Sequence, residues 1–107
     1  MTFYDIQLVS GITSASTTSP YDFRNAQQLT GYLSGSGTLS AGTIQLEASD
    51  DPNFSGTWAP LGSAVNATTL SGNKKSTVSI TGPHRYVRAT IAGVTGGGNV
   101  SVRVVAC

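Results

Sequence analysis

The sequence predicts an all-β fold, an antiparallel β-sandwich of jelly-roll or Ig-like type with seven to eight short strands and little or no helix. Three observations predict it. Apolar residues recur at period two in short runs, turn residues separate those runs every ~8 to 12 residues, and no apolar stripe of helical period appears. With 107 residues the chain has room for one core. Its organisation reads as an N-terminal arm with a flexible loop over residues 1–20, followed by a sandwich domain over residues 21–107.

The C-terminal strand is the clearest. Between Asn99 and Ala106, Val100, Val102 and Val104 fall on one face. Upstream, Val87, Ala89 and Ile91 alternate with Tyr86, Arg88 and Thr90. The intervening Ala92 to Gly98 is rich in glycine, which turns the chain at little steric cost, so the two runs read as a hairpin with a long tip. From Gly42 to Ser49, Ile44, Leu46 and Ala48 face one way and Thr43, Gln45 and Glu47 the other. Asp50, Asp51, Pro52 and Asn53 then close a turn that leads through Phe54 into Thr57 to Leu61. Shorter runs at 67–70 and 76–80, split by a turn at 71–74, and one at 27–34 also fit strands, and Ile6 to Val9 fits an edge strand. Asp22 is placed to cap a short helical turn through Arg24 to Leu29. Gly11 to Pro20 is a low-complexity stretch, read as a surface loop or as an arm that orders against a neighbour.

Charged residues are only 10% of the chain, the net charge is +1, and Ser, Thr and Gly supply 41 of the 107 residues. That composition predicts a neutral, hydroxyl-rich surface. It lacks the clustered Lys and Arg that a phosphate backbone demands, since Lys74 and Lys75 stand together in a turn. No nucleic-acid partner is expected. No apolar stretch approaches the ~20 residues that span a bilayer, so no membrane partner is expected. The opening residues lack the basic and apolar regions of a signal peptide, which predicts synthesis in the cytoplasm.

Candidate chemistry is sparse. Nucleophilic catalysis needs a base beside a Ser or Cys, and the single histidine, His84, follows Gly82-Pro83 at a strand entry, where an exposed turn residue is the simpler reading. Five carboxylates lie mostly at turns. Glu47, Asp50, Asp51 and Asn53 lack the spacing of an EF-hand, and one Cys with one His falls short of a zinc site. The expectation is therefore no enzyme, no metal and no cofactor. Cys107 cannot form an intrachain disulfide, being the sole cysteine. The aromatic residues are scattered one per predicted strand, an arrangement that suits packing better than a row of stacking platforms.

Two pairs of segments carry a family resemblance. Gly42 to Asp51 followed by Gly56 to Gly62 resembles the strand, acidic turn and Trp strand of small β-sandwich virion proteins of tailed bacteriophages. Gly82 to Arg88 with Gly97 to Val102 resembles their closing hairpin. The resemblance covers residues 27–106 and departs over the N-terminal 25. It implies a capsid decoration, or cement, subunit on the outer capsid surface of the virion. It further implies a homotrimer, with the major capsid protein or another virion protein as partner. Within that reading, the apolar N-terminal residues Phe3, Tyr4, Ile6 and Leu8 are the candidate partner contacts. The alternative is a carbohydrate-binding or host-adhesion module of a phage tail or surface protein, with Trp58 and Tyr86 as stacking platforms.

Overall fold

The computed structural model describes residues 4–107. It contains seven strands, β1 (Tyr4–Ile12), β2 (Ser16–Thr17), β3 (Tyr21–Ser36), β4 (Ala41–Ser49), β5 (Ala59–Asn66), β6 (Lys75–Thr95) and β7 (Asn99–Ala106), with one 3-10 turn at Ala67–Leu70. All pairings are antiparallel. The strands form one hydrogen-bonded sheet in the order β1-β7-β3-β6-β4-β5, and β2 adds to β6 off this path. The all-β antiparallel class and the count of seven agree with expectation, although β3 and β6 are long, at 16 and 21 residues.

Those two strands make the sheet fold over itself. Residues Lys75 to Thr81 of β6 pair with β3, whereas Tyr86 to Thr95 pair with β4. Between them, Gly82 takes φ +110 and Pro83 has no N–H to donate, so the strand changes direction there. Opposite this corner, β3 shifts register twice, between Asp22 and Ala26 and between Ala26 and Gln28. A bulge inserts residues on one strand and bends the pair, which is what the corner requires. One layer then comprises β1, β7, the C-terminal part of β3 and the start of β6. The other comprises β2, the end of β6, β4 and β5. Gly31 of β3 lies so close to Leu46 of β4, a strand with which β3 does not pair, that a Cβ there would be 2.6 Å from Leu46 Cδ1.

Between the layers lie the residues that the period-two pattern selects. Ile44, Leu46, Val87, Ala89, Ile91, Val100, Val102 and Val104 are buried, joined by Phe23, Leu29 and Leu33 from β3. No described side-chain nitrogen or oxygen is buried without a hydrogen-bond partner, as stable interiors require.

Four expectations are corrected. Residues 86–91 and 99–106 do not form a hairpin: β4 occupies one edge of this part of β6, β2 and the start of β3 occupy the other, and β7 crosses to pair with β1 and β3. The run 67–70 is a 3-10 turn because Ala67 and Leu70, three apart, both plug the core. The helical turn at 24–29 is part of β3; Asp22 does accept a backbone N–H, but from Arg24 at 2.8 Å, in a local turn and not at a helix end. Finally, the described part of the N-terminal arm and loop is built into the sheet. β1 pairs with β7, and Thr18, buried, exchanges bonds with Ala89 through its N–H (2.9 Å) and its Oγ1 (3.0 Å).

The packing between layers leaves no room at Gly35. A Cβ there would come within 2.6 Å of Leu70 Cβ, and nearer still to the Leu70 carbonyl oxygen. Backbone cannot swing aside as a side-chain tip does. Gly35→Ala should therefore cost about 1–3 kcal/mol, read as a lower urea midpoint at unchanged slope.

Candidate functional site

The corner of the fold produces an unusual surface. Asp22 Oδ1 holds the Arg24 N–H, and Arg24 and Asn25 adopt left-handed backbone at φ 53 and φ 58. Two residues on, the N–H groups of Gln27 and Gln28 both donate to the Cys107 carbonyl, at 3.0 and 3.2 Å, while the Cys107 N–H donates to Gln28 O at 3.1 Å. The bulge is thus fixed at both ends, leaving the side chains of Arg24, Asn25, Gln27 and Gln28 exposed. Asparagine is an ordinary occupant of left-handed backbone, but arginine there costs about 1–2 kcal/mol relative to glycine.

Two clefts flank the bulge and share Asn25. The larger, about 700 Å³, is lined by Tyr4, Phe23, the run from Arg24 to Gln28, and Cys107. The smaller, about 250 Å³, is lined by Asn25, Ala48, Ser49, Asp50, Ala59, Pro83, His84 and Arg85. A third cavity of about 260 Å³ lies elsewhere, among Gln7, Tyr32, Lys75, Ser101 and Arg103. Beside the larger cleft, three rings pack edge to face: Tyr21 on Phe23 at 5.0 Å, Tyr4 on Phe23 at 6.0 Å and Tyr4 on Tyr21 at 6.4 Å. Such pairs contribute about 0.5–1.5 kcal/mol each beyond their burial, so they hold the start of β1 against the start of β3.

Charges on this surface are mostly paired. Arg85 reaches Asp22 at 3.5 Å, Arg88 reaches Glu47 at 3.0 Å, and Arg103 binds Asp5 through two nitrogens. Arg24 is the one arginine with no carboxylate partner among the described residues. The Asp22 carboxyl sits below its ordinary value, chiefly because the Arg24 N–H bonds it, with Arg85 adding to the effect.

The residues singled out from the sequence fall differently. Phe3 lies outside the described residues. Tyr4, Ile6 and Leu8 are half-buried and pack on the core of their own domain, so they do not form a detached apolar arm. Trp58 is 2% exposed, its Nε1 donates to Phe54 O at 2.9 Å, and the Arg88 guanidinium covers its ring at 4.1 Å. A ring so enclosed has no open face on which a sugar can stack. Tyr86 is half-buried, with the Arg85 guanidinium 5.2 Å from its ring. His84 and Ser49 line the same small cleft, yet Ser49 Oγ is engaged by the Asp51 N–H at 3.0 Å. The acidic turn explains its own residues: Asp51 Oδ1 accepts the Asn53 N–H at 2.9 Å. Among the described residues no three His, Cys, Asp or Glu side chains gather as metal ligands would.

The exposed group Tyr21, Arg24, Asn25, Gln27 and Gln28 was not among the residues expected from the sequence to form a surface. The available signal was Asp22 two residues before Arg24, followed by Asn25, a combination that favours a side-chain-closed turn as much as a helix start.

No protein-family model matches this chain, and no curated protein matches it. Among solved structures the chain is similar to the SPBc2 prophage-derived protein YomS. The two share 21% identity over 98% of this chain and 92% of that one, with a TM-score of 0.66. At that identity the likeness is one of fold.

Because its carboxyl pKa is lower in the folded chain, Asp22 contributes stability that is present above the ordinary value of 3.8 and is lost as pH falls through the lower folded value. Asp22→Asn keeps an oxygen for the Arg24 N–H but removes the charge that Arg85 meets. Urea midpoints followed from about pH 5 to about pH 2 should fall less steeply in this variant than in the parent.

Proposed function

We propose that this chain is a bacteriophage virion structural protein, a capsid decoration or cement subunit that binds the outer face of the coat lattice as a homotrimer and performs no catalysis. The observation that carries the reading is the likeness of fold, along almost the whole length of both chains, to a prophage-derived protein. The neutral, hydroxyl-rich composition supports it, because such a surface makes many weak contacts that repetition on a lattice turns into avidity.

Contact with the coat is assigned to the edge strand β1. The sheet order leaves β1 at one end and β5 at the other. Pro60 and the left-handed Gly62 (φ +69) blunt β5, the usual protection of an exposed edge. β1 has nine residues and no proline, and its run from Tyr4 to Gln7 pairs with β7 without a register shift. Register shifts after Gln7 and the left-handed Gly11 (φ +67) interrupt the rest of β1, so the regular run Tyr4 to Gln7 is the part suited to extend a neighbour's sheet through its backbone. Removing β1 would tear the sheet, so the test uses substitutions at its exposed positions.

Gln7→Lys combined with Ser10→Lys should lower occupancy on coat particles assembled without this chain at least tenfold, measured by co-sedimentation, while the thermal midpoint stays within a few degrees. Unchanged occupancy would move the contact off β1. Failure of the parent chain to bind any coat particle would reject the decoration role itself.

A further inference from the structure

We propose that the cleft beside the Arg24–Asn25 bulge is an oligosaccharide-binding site. The inference does not depend on the decoration role, which was assigned to a different part of the surface.

An arginine occupies the strained left-handed position of the bulge. The chain has nine glycines at positive φ, so wherever else left-handed backbone is needed it uses glycine, or asparagine as at Asn73. The corner of the sheet needs a bulge, and a glycine at position 24 would form the same turn, because residue 24 contributes only its backbone N–H to the bond with Asp22 Oδ1. Arginine is present against this preference, and its side chain lines the cleft. Strain held at one position calls for a use of that side chain. No carboxylate among the described residues forms an ion pair with the guanidinium, although its charge adds to the lowering of the Asp22 pKa.

The lining of the cleft has the chemistry that sugar hydroxyls meet. Asn25, Gln27 and Gln28 offer three exposed side-chain amides, each both donor and acceptor. Sugar hydroxyls also donate and accept, and an amide satisfies adjacent hydroxyls in pairs. The guanidinium adds a planar fork of donors. The half-buried ring of Tyr4 supplies an aromatic wall for the C–H face of a pyranose, and the packing of Tyr4 with Tyr21 and Phe23 fixes its orientation. A volume of about 700 Å³ falls within the ~300–1,000 Å³ usual for ligand pockets. One unpaired arginine is too little for a nucleic-acid backbone. Phe23, although it lines the cleft, is fully buried and packs inward.

The test is saturation-transfer NMR with maltotriose, cellotriose, chitotriose and trigalacturonate, each at about 10 mM to detect millimolar affinity, followed by amide-shift mapping. At least one sugar should receive saturation, with shifted amides grouped at residues 21–28 and 107. Arg24→Gly and Asn25→Gly keep the left-handed backbone and remove rim side chains. Each should weaken binding at least tenfold, and Arg24→Gly should also raise the urea midpoint. Tyr32→Ala, outside the cleft, should bind as the parent does. Absence of transfer from all four sugars, shifts confined to another surface, or parental affinity in Arg24→Gly would each overturn the proposal. None of these outcomes bears on binding to coat particles, which the β1 substitutions report.

Discussion

Strand β6 is the constraint on which the rest of the fold depends. Its first part pairs with β3 and its last part with β4, so a single backbone supplies hydrogen bonds to both layers of the sandwich. Two independent sheets would be joined only by loops and by side-chain packing, whereas here the layers are continuous through a bent strand. The bend needs a residue without an N–H and one tolerant of positive φ, and Gly82-Pro83 provides both. It also needs extra length on the facing strand, which the bulge at Arg24 and Asn25 provides.

That geometry explains why the most distinctive surface lies at the corner. A flat antiparallel pair presents side chains in regular alternation and leaves no cleft. Where β3 bulges, the alternation breaks and consecutive side chains from Arg24 to Gln28 line one cavity, interrupted in their exposure only by Ala26, which turns into the core. The ion pairs, by contrast, look structural. Arg88 joins Glu47 to Trp58, and Glu47 also accepts from Thr90 at 2.7 Å. This network covers an aromatic residue that would otherwise face solvent.

Much of the layering was legible in the sequence because burial on a strand follows period two. Val100, Val102 and Val104 were assigned to the core from alternation alone and are fully buried, and Ile44, Leu46 and Ala48 follow the same rule. The β4–β5 hairpin was legible because its turn is closed by nearby residues, with Asp51 and Ser49 supplying the side-chain acceptors. The supposed β6–β7 hairpin was not, although the glycines between the strands suggested one. The backbone edges that pair are chemically alike in every strand, and side-chain pattern does not say which are already occupied.

The sequence by itself determined the all-β class, the inward face of each main strand and the low-charge surface, since these follow from local alternation and composition. Only the tertiary structure decided that the apolar N-terminal segment packs on its own core, that Trp58 lies beneath Arg88, and that Arg24, Gln28 and Cys107 meet around one cleft. Those outcomes join residues as far apart as Tyr4 and Ala106. Gly82-Pro83 permits the bend locally, but which strands meet across it is set by long-range pairing, which one strand's residues do not encode.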